Sequence, residues 1–129
     1  MPELPDIVVY IEALERRILG RVLERVLVAG PFLLRTAMPP IDSAQGHTVK
    51  AIRRIGKRIA IAFDNELWLV IHLMIAGRLH WKERRVTPDG RRVSAAFHFD
   101  NGTLTLTEVA RRSGGKLNLL SLIPGELMC

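Results

Sequence analysis

The sequence predicts a mainly β protein with some α structure, an antiparallel β-sandwich with an N-terminal helix packed at one end. Three observations predict it. Apolar spacing is helical over residues 5–19 and switches to a period of two after Gly20. Short apolar or alternating runs then recur as far as Thr107. Between them, Asp64-Asn65 and Asp100-Asn101-Gly102 supply tight-turn chemistry.

In the predicted helix, Ile7, Ile11, Leu14 and Ile18 fall on one face, Pro5 suits the first turn and Gly20 can close the end. Glu12, Glu15, Arg16 and Arg17 belong to solvated faces. Val22, Val26 and Val28 suggest a strand, followed by a Pro- and polar-rich connection over roughly 30–47. Strands are expected at Val49–Ile55, Arg58–Phe63, Leu67–Met74 and Leu79–Lys82, with Asp64-Asn65 as the turn between the second and third. Arg84–Arg92, centred on Pro88-Asp89-Gly90, reads as a basic loop. Ala95–Phe99 and Thr103–Thr107 flank Asp100-Asn101-Gly102, a strong hairpin signal. The count is one helix and six or seven strands. The domain is expected over 1–116, with 117–129 as a short tail.

A chain of 129 residues with 48% hydrophobic content fits one globular domain. Nineteen basic against 13 acidic residues give a net charge of +6, which favours a polyanionic partner, nucleic acid before membrane. The single Cys129 excludes an internal disulfide and a multi-cysteine zinc site, and a reducing compartment is expected. No leader and no run of about 18 apolar residues is visible, so neither secretion nor membrane spanning is indicated.

The opening Met1-Pro2-Glu3-Leu4-Pro5 carries the sharpest chemistry. Removal of Met1 would leave Pro2 as a free secondary amine with the Glu3 carboxylate beside it. Such an amine can attack an aldehyde-like sugar carbon and form an iminium. An α-amino group titrates near 7.7–8.0, so part of it is neutral and nucleophilic at neutral pH. The plainer alternative is that both prolines shape the start of a helix.

Three segments together resemble the N-terminal catalytic domain of the formamidopyrimidine-DNA glycosylase/endonuclease VIII family. They are Pro2-Glu3-Leu4-Pro5-Asp6, Arg54-Ile55-Gly56-Lys57-Arg58, and Val70 through Leu79 with its His72-Leu73-Met74-Ile75-Ala76-Gly77-Arg78 core. The resemblance covers about residues 1–110. It implies a base-excision repair enzyme, a bifunctional DNA N-glycosylase and abasic-site lyase working through an N-terminal proline Schiff base. Pro2 would attack C1′ of the damaged nucleotide, Glu3 would shuttle protons, and Lys57 would contact a flanking phosphate. Family members flip the damaged nucleotide out of the duplex before acting on it. The resemblance also implies DNA contacts from Lys57, Arg58, Met74, Ile75, Arg78, Arg111 and Arg112, with Asp6 as a supporting carboxylate.

The sequence departs from that family at several points. Asp6 stands where Glu is usual, one methylene shorter, and Val8 replaces another acidic residue. Ile75 occupies the register of a Met that fills the gap left by the flipped nucleotide, with Met74 adjacent. Arg111-Arg112-Ser113-Gly114 has a serine where that branch has an aromatic wedge. Full-length relatives continue into a helix–two-turn–helix domain and usually a zinc finger. The residues after 116 are too few for either, and one cysteine cannot build the finger. No cofactor is expected in this chain.

Damaged double-stranded DNA is the expected partner, with a C-terminal DNA-binding half as a second. The chain is expected to be a monomer, cytoplasmic, and nucleoid-associated in a bacterium. His72 and His98 read as hydrogen-bonded structural residues, and His47 and His80 have no metal-like spacing. Trp68 and Trp81 read as core, although either could stack on bases. Arg53 and Arg54 would add to the phosphate-contacting charge. Two other functions remain. One is a non-catalytic nucleic-acid-binding remnant or truncated paralogue, with salt-sensitive binding that is indifferent to Pro2. The other is a β-sandwich interaction module with negligible DNA affinity.

Overall fold

The computed structural model describes residues 4–29, 40–73, 77–89, 93–108 and 119–127. Helix α1 spans Leu4–Ile18, one residue earlier than the spacing predicts at each end. Its buried stripe is Ile7, Leu14 and Ile18, with Tyr10 and Ile11 half-buried against the same core. Each fully buried aliphatic side chain contributes roughly 2 kcal/mol. The helix stops because Gly20 takes φ +81°, a left-handed conformation that side chains with a Cβ disfavour. The Arg21 N–H then donates to the Ile18 carbonyl at 2.9 Å.

Eight strands follow among the described residues: β1 (Leu23–Val28), β2 (Val49–Ile55), β3 (Arg58–Phe63), β4 (Leu67–His72), β5 (Gly77–Lys82), β6 (Val93–Phe99), β7 (Gly102–Glu108) and β8 (Leu119–Pro124). They make two four-stranded antiparallel sheets, ordered β1-β6-β7-β5 and β2-β3-β4-β8. The inner faces meet in the core. Across the second sheet, Ile52, Ile61, Leu69 and Leu122 pair in one row, each at most 2% exposed. Across the first, Val26, Phe97, Leu104 and Trp81 form the facing type of row. α1 lies along β2 and closes the core. None of the described helices is long and apolar enough to cross a membrane.

β8 corrects the sequence reading, which left 117–129 as a tail. Leu120 and Leu122 are fully buried, and the strand pairs with β4 from Leu67↔Pro124 to His72↔Leu119. Its sequence neither alternates nor carries β-branched residues apart from Ile123, so only the open edge of β4 makes it a strand. Pro124 is tolerated because β8 is itself an edge strand. The connection read over 30–47 contains a short 3-10 turn at Ile41–Ala44 with Ala44 buried; residues 30–39 lie outside the described set.

The first residues of the basic loop, 84–86, pack back on the first sheet. His98 and Thr103 lie on the outer face of the first sheet yet are nearly inaccessible, because residues 84–86 fold back over them. The Thr103 hydroxyl donates to the Arg84 carbonyl at 2.8 Å, and His98 Nε2–H donates to the Val86 carbonyl at 2.8 Å. Arg85 pairs with Glu24 on β1. His98 is thus the hydrogen-bonded structural histidine that its apolar surroundings predict. Trp81 is likewise packed, tilted against Phe99 with centroids 6.3 Å apart and capped by the Arg17 guanidinium at 5.5 Å. That packing leaves its ring committed to the fold rather than open for base stacking.

The β3–β4 turn is tied to the start of β2 by His47, whose Nδ1 lies 2.8 Å from Asp64 Oδ1. That hydrogen bond is the largest influence on Asp64 and holds its carboxyl below the usual carboxylate range. A depressed carboxylate stabilises the fold above its unfolded pKa of about 3.9, and the contribution disappears as pH falls through the folded value. Thermal melts of wild type and Asp64→Asn should therefore differ near pH 6 and converge as the pH falls through the lowered pKa of Asp64. A constant difference across that range would show that Asp64 acts only through its shape.

Candidate functional site

The two ends of the sandwich differ in character, and hydrogen bonds fix which residues belong to each. The C-terminus of α1 is anchored at one end. Gly20 N–H donates to Val49 O at 2.9 Å, where β2 begins, and Asn101 Nδ2 donates to Arg17 O at 2.9 Å. Arg21 reaches Asp100 at 3.2 Å in the same β6–β7 turn. The asparagine satisfies one of the carbonyls that the last turn of a helix leaves unpaired.

From that anchor α1 runs beside β2. Fifteen helical residues and seven extended ones each span about 22 Å. The start of α1 therefore lies at the opposite end, where β2 finishes. Ile55, Gly56, Lys57 and Arg58 turn at that end, and β4 finishes there at His72. β5 begins there at Gly77, opposite Glu108 at the close of β7, and β8 begins there at Leu119. The fold thus gathers the flanks of all three motif segments at one end of the molecule.

Lys57 is presented by a two-residue turn, with Ile55 and Arg58 paired on either side. Gly56 has φ +61°, and Glu66 is the one described non-glycine residue with positive φ. This is the pattern of a type II′ hairpin, in which glycine takes the first turn position. The glycine of the Gly-Lys pair is therefore what puts the lysine at the tip. The sequence reading left Lys57 between the expected strands Val49–Ile55 and Arg58–Phe63, and it sits there, exposed, one residue before β3. Arg54 Nη1 donates to the Gly56 carbonyl at 3.0 Å and braces the turn. Arg53 and Arg58 are exposed on the adjoining strands.

Between the first turns of α1 and the start of β5, a cleft of about 380 Å³ is lined, among the described residues, by Asp6, Val9, Tyr10 and Arg78. Positions 6, 9 and 10 share one face of α1. Arg78 is the second residue of β5 and donates Nη1 to the Gly77 carbonyl at 2.7 Å. The structure thus brings Asp6 and Arg78 together from opposite halves of the sequence. It adds two residues that the sequence reading did not single out for function, Val9 and Tyr10. Their signal was the spacing from Asp6, hidden because Tyr10 also fits the apolar stripe.

Pro2, Glu3, Met74, Ile75, Arg111, Arg112 and Cys129 lie outside the described residues. Their described neighbours are Leu4 at the start of α1, Leu73 and Gly77 on either side of 74–76, and Glu108 and Leu119 on either side of 109–118. Arg84 and Arg85 belong elsewhere, on the loop over the outer face of the first sheet. The donor set does not fit a zinc finger. The chain has one cysteine, and no three His, Cys, Asp or Glu side chains gather as a metal site among the described residues.

A family model described as the formamidopyrimidine-DNA glycosylase N-terminal domain matches residues 1–116. Curated formamidopyrimidine-DNA glycosylases are similar over most of the chain. That of Thiobacillus denitrificans is 35% identical, with 98% of this chain and 46% of the relative covered. That of Desulforamulus reducens is 32% identical, with 96% and 44% covered. The Mycoplasma genitalium protein is 32% identical, with 80% and 37% covered. The chain therefore spans less than half the length of these relatives. Among solved structures, MutM in complex with DNA containing carbocyclic 8-oxo-G superposes with a TM-score of 0.85 at 22% identity, covering 98% of this chain and 46% of that one. The Lactococcus lactis protein in complex with DNA containing FAPY-dG gives 0.84 at 22% identity, with the same coverage. At that identity the likeness establishes the fold.

Proposed function

The chain belongs to the formamidopyrimidine-DNA glycosylase family, in the region of its N-terminal domain, and from that membership we propose that it acts in base-excision repair, removing a damaged base from duplex DNA and cleaving the resulting abasic site. The observation that carries the reading is the convergence described above. The start of α1, the Lys57 turn and the start of β5 share one end of the sandwich.

In the proposed mechanism Met1 is removed and the neutral amine of Pro2 attacks C1′ of a flipped nucleotide. The C1′–N bond breaks and the base leaves with a proton. Glu3 protonates the sugar ring oxygen, the ring opens, and an iminium joins Pro2 to C1′. Loss of a C2′ proton then expels the 3′-phosphate. Lys57 holds a flanking phosphate through this sequence, with Arg58 and Arg78 adding charge. A C-terminal DNA-binding half, as in the longer relatives, would complete the grip.

Borohydride trapping on a duplex with one abasic site tests this, with protein whose mass confirms loss of Met1. A covalent adduct supports the lyase. DNA binding without an adduct would favour the non-catalytic remnant, a reading supported by the short span of the chain relative to its relatives. Lys57→Ala should weaken binding equally on damaged and undamaged duplexes. It should also reduce the slope of log K against log salt by about 1. Anisotropy titrations over a salt series would read both, and an unchanged slope would remove Lys57 from the phosphate contacts.

A further inference from the structure

We propose that Arg54 is a positioning residue for Lys57: its guanidinium locks the peptide between Gly56 and Lys57, and so fixes the direction in which the lysine meets a phosphate. The inference rests on the phosphate contact proposed above for Lys57 and adds a residue that acts through it. Three features of the β2–β3 turn carry it.

The first is where the turn can move. Ile55 and Arg58 pair with each other, so the ladder fixes the two ends of the hairpin. Gly56 and Lys57 lie beyond that last pair. Gly56 takes φ +61°, and a Cβ built on it would meet no neighbouring atom within 4 Å. Glycine adopts several backbone regions at similar cost, so packing around Gly56 does not choose its conformation. The plane of the peptide that joins Gly56 to Lys57 is therefore the soft part of the turn. Turning that peptide over converts a type II′ hairpin to type I′, in which the second turn residue also takes positive φ. The Lys57 side chain would then leave the turn in a different direction.

The second feature is the bond that opposes this rotation. Arg54 Nη1 donates to the Gly56 carbonyl at 3.0 Å, and that oxygen belongs to the peptide in question. Turning the peptide over takes the oxygen away from the guanidinium. A charged donor makes the bond stronger than a neutral one would.

The third feature explains why an arginine at this position reaches the turn. Arg54 pairs with Ile59 and shares a strand face with Ile52, and both isoleucines are buried. An unpaired guanidinium cannot stay on that face, so the side chain runs outward past the end of β2, where the turn lies. Arg53, on the opposite face, sends Nη1 to the Ile52 carbonyl at 3.3 Å instead. Two adjacent arginines of equal charge are thus used differently, one bonded to the turn and one to its own strand.

A double-mutant cycle read in salt tests the brace. Arg54→Met, Lys57→Ala and the double variant are titrated by anisotropy on one duplex carrying a tetrahydrofuran abasic analogue. Removing one phosphate contact lowers the slope of log K against log salt by about 1, so the affinity lost from about 50 to about 200 mM salt becomes roughly threefold smaller. Arg54→Met should produce that change when Lys57 is present and none when Lys57 is already alanine. Arg54→Lys keeps a long charged donor and should restore the wild-type slope. Arg53→Met removes an equal charge one residue away, and its effect should be the same in both backgrounds. Melting curves should show every variant folded, since the replaced side chains are exposed.

A slope that Arg54→Met lowers equally in both backgrounds overturns the inference, because Arg54 then touches phosphate itself. No change in either background also overturns it and leaves Arg54 a solvated charge. Equal coupling of Arg53→Met to Lys57 does the same, because general charge would then account for the cycle. If Lys57→Ala alone leaves the slope unaltered, the phosphate contact falls and the brace with it, whereas additivity removes the brace alone.

Discussion

A single residue left ahead of Pro2 is expected to reduce borohydride trapping on abasic-site DNA by on the order of a hundredfold or more. The reason is the electronic state of one nitrogen. As the first residue, Pro2 carries a secondary amine whose lone pair is available near neutral pH. With Met1 retained, or with a Gly-Ser overhang, the same nitrogen becomes a tertiary amide whose lone pair is delocalised into the carbonyl. Such an amide cannot form an iminium. The block leaves the Lys57 turn and the start of β5 unaltered in sequence, so binding to the abasic duplex should persist while the covalent adduct disappears. Two preparations that differ only at this end, matched by mass spectrometry and titrated on one duplex, make the comparison. Undiminished trapping by the blocked protein would transfer the nucleophile to a lysine and remove Pro2 from the mechanism.

Gly102→Val should destabilise the fold by about 3 kcal/mol and lower the melting temperature by on the order of 10 °C. Gly102 faces Phe99 across the β6–β7 hairpin. A Cβ there would stand 2.5 Å from the Lys82 carbonyl oxygen and 2.5 Å from Trp81 Cζ2. Neither neighbour can yield easily. The carbonyl belongs to the β5–β7 ladder, and Trp81 is held between Phe99 and the Arg17 guanidinium. The backbone at φ +157° adds strain for a β-branched residue. Denaturant titration of the two proteins gives the difference directly, and a loss below about 1 kcal/mol would show that β5 shifts to admit the side chain.

These two positions show how differently the site and the fold were legible. The proposed roles of Pro2 and Glu3 come from sequence without any structure, because a secondary amine beside a carboxylate would follow from removal of Met1 alone. Gly102 reads from sequence only as a turn residue. That it also admits the Trp81 ring follows from a pairing between β5 and β7, whose contacting residues lie more than 20 positions apart. His98 was legible as a structural histidine from its apolar surroundings, but not the loop that covers it.

The sequence by itself determined the class of fold, the helix with its buried stripe, and seven strands to within a few residues, because periodicity and turn chemistry are local. It also left Gly56 and Lys57 between the expected strands 49–55 and 58–63, which tertiary pairing of Ile55 with Arg58 closes into a turn. Tertiary structure alone decided three things. Leu119–Pro124 is a strand because β4 offers an unpaired edge, not because its residues alternate. The basic residues divide: those of 53–58 and Arg78 gather near the start of α1, while Arg84 and Arg85 close over the first sheet. Asp6, Val9, Tyr10 and Arg78 share a cleft because α1 runs beside β2 and brings its first turns to the start of β5. Local order follows from neighbours along the chain, whereas a site requires residues some 70 positions apart to meet, and only packing of the helix on the closed sandwich fixes that distance.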